Sequence, residues 1–200
     1  MQLLKTASKE KLRGGFYTPE PIAAFILKWA FNGNKQLDIL EPSSGDGVFL
    51  REIKKYGFKY NSLTAIELDE KEAEKSENIG LDKAEIINDD FHNFCINTEQ
   101  KYDLVIGNPP YIRYQYFNRE QQEFASHIFD KAKLKYSKLT NAWVSFVVGS
   151  SLLLKDNGKI GFVLPAEILQ VSYAEPLREF LAQFYNKINI VSFEKLVFPD

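Results

Sequence analysis

Short apolar runs alternate with longer stretches that repeat apolar positions every three to four residues. Leu37 to Leu40, Leu63 to Ile66, Ala84 to Ile87, Leu104 to Ile106, Lys159 to Leu164 and Ile188 to Phe193 have strand length and composition. Between them, Pro19 to Phe31 reads as a helix, with Thr18 as its N-cap and Pro19 in its first turn. Val48 to Tyr56 reads as a helix opened by a glycine loop, and Asp69 caps a charged helix. Ala142 to Lys155 is predicted to be helical and to end at Asn157-Gly158, a C-cap signal, and Pro176 to Phe184 forms a last helix. Arg113 to Leu139 is predicted to be mostly helical, as an excursion between a strand end and the next core helix. Such alternation specifies an α/β fold, a doubly wound parallel sheet with helices on both faces, whose ligands bind beyond the carboxyl ends of the strands.

One of those ends carries Asn108-Pro109-Pro110-Tyr111, directly after the apolar run from Tyr102 to Gly107. Two adjacent prolines fix φ and remove N–H donors, leaving nearby carbonyls to accept hydrogen bonds. The Asn108 side chain adds an acceptor and Tyr111 a stacking face. Together they suit the gripping of a flat group that bears an amino nitrogen. Asn-Pro alone is a common turn starter; the tetrapeptide behind a buried strand is more specific.

The loop Glu41-Pro42-Ser43-Ser44-Gly45-Asp46-Gly47 follows the first strand. Its glycines allow close backbone approach to a ligand. The third glycine of a dinucleotide fingerprint would fall at Leu50, and no Gly-Lys-Ser/Thr phosphate loop is present. Glu41 and Asp46 instead disfavour a polyphosphate and favour a ligand with a positive amino or sulfonium group. Glu67, ending the second strand, is placed to bond ribose hydroxyls. Asp90-Phe91, after the third strand, pairs a carboxylate with an aromatic ring and suits an adenine.

Composition narrows the class. The 200 residues are 44% apolar and 26% charged with net charge −2, as in a soluble one-domain protein. No apolar run reaches membrane-spanning length, and the polar, basic start has no signal-peptide core. The lone Cys95 excludes an internal disulfide and fits a reducing cytoplasm. With one cysteine and the isolated His92 and His127, no zinc cluster assembles, and both histidines are expected at the surface or in turns. Charge is uneven: Lys5, Lys9, Lys11 and Arg13 crowd the start, and Arg113, Arg119, Lys131, Lys133, Lys135 and Lys138 outnumber Glu120, Glu123 and Asp130 after the Asn-Pro-Pro-Tyr turn. Such patches contact phosphates or form a solvated helix face.

The order of these motifs resembles the N6-adenine DNA methyltransferases of restriction–modification systems, in the subgroup whose cofactor motif begins the chain. The resemblance rests on Gly14-Gly15-Phe16-Tyr17-Thr18-Pro19, Glu41 to Phe49, Ala65 to Asp69, Asn88-Asp89-Asp90-Phe91, Asp103 to Tyr111 and Lys155 to Pro165. It implies a mostly parallel methyltransferase sheet over 1–200, with 112–139 inserted as a partly helical excursion, and S-adenosylmethionine as cofactor. On this resemblance Thr18 meets the cofactor's carboxylate, Glu41 and the Gly45/Gly47 loop its amino acid end, Glu67 its ribose, and Asp90 with Phe91 its adenine. Tyr17, Pro42 and Leu68 complete the cofactor set. Asn108 and Pro109 would orient the target amine, with Pro110 stiffening the turn and Tyr111 stacking on an adenine flipped out of double-stranded DNA.

The chain departs from the family at Val197-Phe198-Pro199-Asp200, where the family's last hairpin would begin. The expectation is a C-terminally truncated chain without that hairpin or a target-recognition domain, to be completed by a further segment or a companion chain. Alone it would bind cofactor and methylate DNA feebly or not at all. The tetrapeptide also serves methyltransferases of RNA adenine and of protein glutamine amides, and a non-catalytic cofactor-binding fragment or subunit is a further alternative.

Overall fold

A computed structural model describes residues 17–32, 36–135 and 140–193. The basic start, Gly14 to Phe16, Lys138 and the run from Val197 lie outside the described residues. Five strands, β1 (Asp38–Glu41), β2 (Ser62–Glu67), β3 (Ala84–Asn88), β4 (Tyr102–Gly107) and β5 (Leu154–Phe162), form one sheet ordered β3-β2-β1-β4-β5. Every pairing is parallel. The helices are α1 (Glu20–Ala30), α2 (Val48–Tyr56), α3 (Glu70–Glu77), α4 (Phe91–Asn97), α5 (Arg119–Lys131), α6 (Ala142–Leu152) and α7 (Glu175–Phe184).

Alternate residues of the central strands feed two cores. Ile39, Leu63, Leu104 and Ile106 pack under α1 and α2, while Leu40, Ile66 and Val105 pack under α4, α5, α6 and α7. Helix α6 is buried along nearly its whole length, and its sequence, AWVSFVVGSSL, is apolar or small all round as that position requires. At the opposite end of the sheet from the strand termini that carry the motifs, Lys155 Nζ bridges Asp38 and Asp103, 2.9 Å from the latter.

Between α1's entry and the sheet, the expected cap moves by one residue. Pro19 takes the N-cap position, and its carbonyl accepts from the amides of Ile22 and Ala23. Thr18 makes no capping bond; it is buried in the wall of a cleft. Asp69 does cap its helix, accepting from the amides of Lys71 and Glu72.

Two C-terminal expectations fail. Helix α6 stops at Leu152, and Asn157-Gly158 lies within β5, where the ladder jumps from Tyr102↔Leu154 to Leu104↔Lys159. Asn157 there adopts a left-handed φ of 62°. Asn-Gly marks a reversal of backbone hand, which a bulge needs as much as a helix end does. Ile188 to Phe193 forms no strand: the segment pairs with no described residue, and Ile188, Ile190, Val191 and Phe193 are exposed. Apolar alternation creates a strand only where a ladder partner satisfies the backbone.

The excursion leaves β4 and returns to α6 through a pinched base. Arg113 bridges Asn141, and the Ala142 amide donates to the Ile112 carbonyl at 2.7 Å. Within it lie a short 3₁₀ turn, Tyr114–Tyr116, and α5. Among the described residues no helix is long and apolar enough to cross a membrane.

Candidate active site

The chain builds β1 first, steps outward through β2 to β3, then returns to lay β4 on the other side of β1. The strand order therefore reverses between β1 and β4, and a crevice opens there past the strands' carboxyl ends. A cleft of about 420 Å³ occupies it. Of the residues singled out from sequence, Tyr17, Thr18, Glu41, Pro42, Gly45, Glu67, Leu68, Asp90, Phe91, Asn108 and Pro110 line this cleft. Gly47, Pro109 and Tyr111 do not: Gly47 is the N-cap of α2, Pro109 is buried, and Tyr111 packs on the core.

Glu41 is 1% exposed, and neither of its carboxylate oxygens has a hydrogen-bond partner. Burial pushes its carboxyl well above the usual range, and Glu67 and Asp46 push it further. An unpaired buried carboxylate is costly, so this wall is built for a group that donates to it. Glu67 buckles two loops together. Its Oε2 accepts from the Gly45 amide at 2.8 Å and its Oε1 from the Asp69 amide at 2.9 Å. Burial raises its carboxyl too, and those backbone bonds partly offset the shift. The same wall includes Glu72, whose Oε2 is buried without a partner.

The far end of the cleft is aromatic. Phe91 stacks on Phe146 at 4.8 Å between centroids, and Phe117 meets the ring of His92 edge-on at 5.4 Å. Asp90 caps α4 beside them, its Oδ1 accepting from the His92 amide at 2.7 Å and standing 2.9 Å from His92 Nδ1. Gln121 Nε2 donates to its Oδ2 at 2.8 Å. Burial alone would raise the Asp90 carboxyl; the bonds from His92 and Gln121 prevail and hold it at about 2.

His92 corrects one expectation. It is 1% exposed, not superficial, because Ser145 Oγ on α6 stands 2.7 Å from its Nε2. His127, in contrast, is exposed on α5. Phe117, Gln121 and Phe146 also line the cleft and were not singled out. Their proximity is tertiary, but the spacing of Asn118 and Gln121 is a readable capping box.

The Asn-Pro-Pro-Tyr turn is tied to the glycine loop. Ser43 Oγ donates to the backbone carbonyl of Asn108 at 3.2 Å. Asn108 Oδ1 in turn accepts from the Tyr111 hydroxyl at 2.7 Å, and that hydroxyl also reaches the Val163 carbonyl at 3.1 Å. Burial raises the Tyr111 phenol, which stays neutral. On the excursion, Arg119 is 93% exposed on its side chain and pairs with Glu123, four residues on, as a solvated helix face does. Arg113, Lys131, Lys133 and Lys135 are exposed as well.

The Eco57I restriction-modification methylase family profile matches residues 20–198. The chain is 32% identical over 189 residues to the Type II methyltransferase M.AccI of Acinetobacter calcoaceticus, covering 92% of this chain and 34% of that protein. It is 33% identical over 199 residues to the Type II methyltransferase M.HincII of Haemophilus influenzae, covering 95% and 34%. It thus spans about a third of the length of the curated relatives it matches. Among solved structures, the methyltransferase subunit of a type I restriction-modification system from Streptococcus thermophilus superposes with a TM-score of 0.67 at 21% identity, over 84% of this chain and 38% of that one. A protein from Listeria monocytogenes, provisionally assigned as a class I S-adenosylmethionine-dependent methyltransferase, gives 0.69 at 17% identity, over 90% and 55%. These likenesses show the fold.

Proposed function

The chain belongs to the Eco57I restriction-modification methylase family, and on that premise we propose that it transfers a methyl group from S-adenosylmethionine to the N6 amino group of an adenine in DNA. The observation that carries this reading is the position of Asn108, a residue that lines the same cleft as the unpartnered Glu41 carboxylate. One residue suits the amine to be methylated, the other the amino acid end of the methyl donor.

The residues present fit that donor. Glu41, with Thr18 and the Gly45 loop, would receive its amino acid end, Glu67 its ribose hydroxyls, and Asp90 its adenine amino group against Phe91 and Phe146. Tyr17, Pro42 and Leu68 would enclose it, and Gly47 would let α2 begin close to it. When bound, S-adenosylmethionine supplies a methyl group already activated by a positive sulfur.

The protein's task is then orientation. An adenine amine is a poor nucleophile because its lone pair is delocalised into the ring. Asn108 Oδ1 and the Pro109 carbonyl would each accept one N–H and turn the lone pair toward the methyl, so that the N–C bond would form as the S–C bond breaks and the nitrogen would release its extra proton to solvent. Positioning of this kind supplies several kcal/mol, and neutral acceptors suffice. Pro110 stiffens the turn. Tyr111 packs on the core beside the cleft, so its ring would have to turn toward the cleft to meet a base flipped from the duplex, and that flipping costs about a few kcal/mol. The exposed cations of the excursion, from Arg113 to Lys135, would meet DNA phosphates. We assign residues 1–200 to one catalytic domain with 112–139 as its excursion. The remaining two-thirds of a relative's length would supply sequence recognition, in the same polypeptide or a companion chain.

Transfer of a labelled methyl from S-adenosylmethionine to DNA, RNA and protein, followed by nucleoside analysis, tests this. Label in N6-methyladenine of duplex DNA is the expected result. Label in RNA or in glutamine, or cofactor binding with no transfer to any acceptor even when the companion segment is supplied, overturns it.

A further inference from the structure

We propose that Gln121, on the excursion, is a positioning residue that aims the Asp90 carboxylate at the amino group of the cofactor's adenine. This rests on the reading of the cleft as an S-adenosylmethionine site.

Three donors already hold Asp90. The His92 amide and Nδ1 converge on Oδ1, and Gln121 Nε2 reaches Oδ2 at 2.8 Å. A carboxylate offers about four acceptor positions, so one remains, on Oδ2 beside the Gln121 donor. With Oδ1 clamped from α4 and Oδ2 from α5, the carboxylate plane cannot turn freely. Both Asp90 and Gln121 line the cleft at its aromatic end, together with the stacked pair Phe91 and Phe146.

The other end of Gln121 fixes its direction. Its Oε1 accepts from the Asn118 amide at 3.2 Å, while its own amide donates to Asn118 Oδ1 at 2.8 Å. This capping box anchors the start of α5. Because the side-chain oxygen is committed to Asn118, the NH₂ must face Asp90. A glutamate would serve the cap equally well and could not donate to a carboxylate. The choice of glutamine is therefore explained by Asp90. A lysine or arginine at this place would pair with the carboxylate and compete for it; a neutral amide orients it and leaves its charge for the ligand.

Gln121→Glu preserves the cap but replaces the bond to Asp90 with a like charge, so it is read beside Gln121→Met, which deletes the bond without adding charge. Binding of S-adenosylmethionine and of an analogue with hydrogen in place of the purine 6-amino group is titrated by calorimetry at pH 8, with melting curves as a check on folding. S-adenosylmethionine binds Gln121→Glu about tenfold more weakly than wild type, as loss of a charge-assisted hydrogen bond would give. The analogue binds both proteins alike. Gln121→Met, which loses the cap as well, shows the same selective loss together with a lower melting temperature. Equal weakening of both ligands, or no weakening of either, overturns the positioning role. A wild-type protein that binds neither ligand overturns the reading of the cleft itself.

Discussion

The Tyr111 hydroxyl donates to Asn108 Oδ1 across 2.7 Å, so the two polar groups of the Asn-Pro-Pro-Tyr turn are bonded to each other. An amide oxygen has two lone pairs, and this bond fixes the side chain so that its oxygen is the end held at the turn. The tyrosine thus has a duty beyond its ring. Tyr111→Phe keeps the ring and loses that duty. It is expected to lower the methyl-transfer rate roughly tenfold and global stability by about 1 kcal/mol in urea unfolding. Tyr111→Ala also loses the ring, and the fluorescence of a 2-aminopurine at the target position should fall below the wild-type level.

Asn108→Ala removes the oriented acceptor. Methyl transfer should fall by about 10²- to 10³-fold, in the range found for loss of one preorganised hydrogen-bonding group. The S-adenosylmethionine dissociation constant should stay within about twofold, because the substitution leaves Glu41, Glu67 and Asp90 in place. Equal loss of binding and transfer would refute the assignment.

Glu41 makes stability depend on pH in an unusual direction. Its carboxyl is raised in the fold, so the folded state holds a proton that the unfolded chain releases near its ordinary value of 4.5. That advantage is complete below pH 4.5 and is lost as pH rises toward the folded value. Without ligand, Glu41→Gln should therefore melt a few degrees above wild type at pH 8, with the gap closing by pH 4. The same substitution should weaken cofactor binding, separating stability from function in one variant.

Two glycines of one loop should respond differently. At Gly47, φ is 78° and a Cβ would lie 2.5 Å from Ile79 Cδ1 and 3.0 Å from Ser76 Oγ. Left-handed strain and crowding together predict a loss of about 2–4 kcal/mol for Gly47→Ala in urea unfolding. At Gly45, φ is 53° and the added carbon meets Tyr17 only at 3.8 Å. Gly45→Ala should cost about 1 kcal/mol.

Lys155 holds together the ends of two central strands. Its bond brings the Asp38 carboxyl down to about 2, helped by Ser62 and Asn61. Because that carboxyl is lowered, the stabilisation is present above the unfolded value of 3.8 and is lost as pH falls through 2. Lys155→Met should cost about 1 kcal/mol at pH 7, discounted for the partial exposure of all three groups, and almost nothing at pH 2.

The sheet was legible because each central strand is an apolar run followed by punctuation that no buried backbone tolerates. Helix α2 spans Val48–Tyr56, as read from the glycine loop before it, and Gly57 caps its end. The acids Glu41, Glu67 and Asp90 were legible for the same reason: each closes or follows a strand, and parallel strands bring such positions to one side. What stayed hidden depends on partners far along the chain. His92 is buried by Ser145, 53 residues away. Gln121 is separated by 31 residues from Asp90, the group it serves. Asn157-Gly158 and Ile188 to Phe193 misled because local signals for a reversal or a strand are silent about what lies alongside.

Phe117 and Gln121 place part of the excursion inside the wall of the cofactor cleft. A loop that only touched substrate could be traded between relatives to change what is methylated, with the rest of the enzyme indifferent. Here a transplanted excursion without an aromatic and a glutamine at those two places would arrive with a hole in the donor's seat. Any exchange of this excursion between relatives would have to carry both residues along.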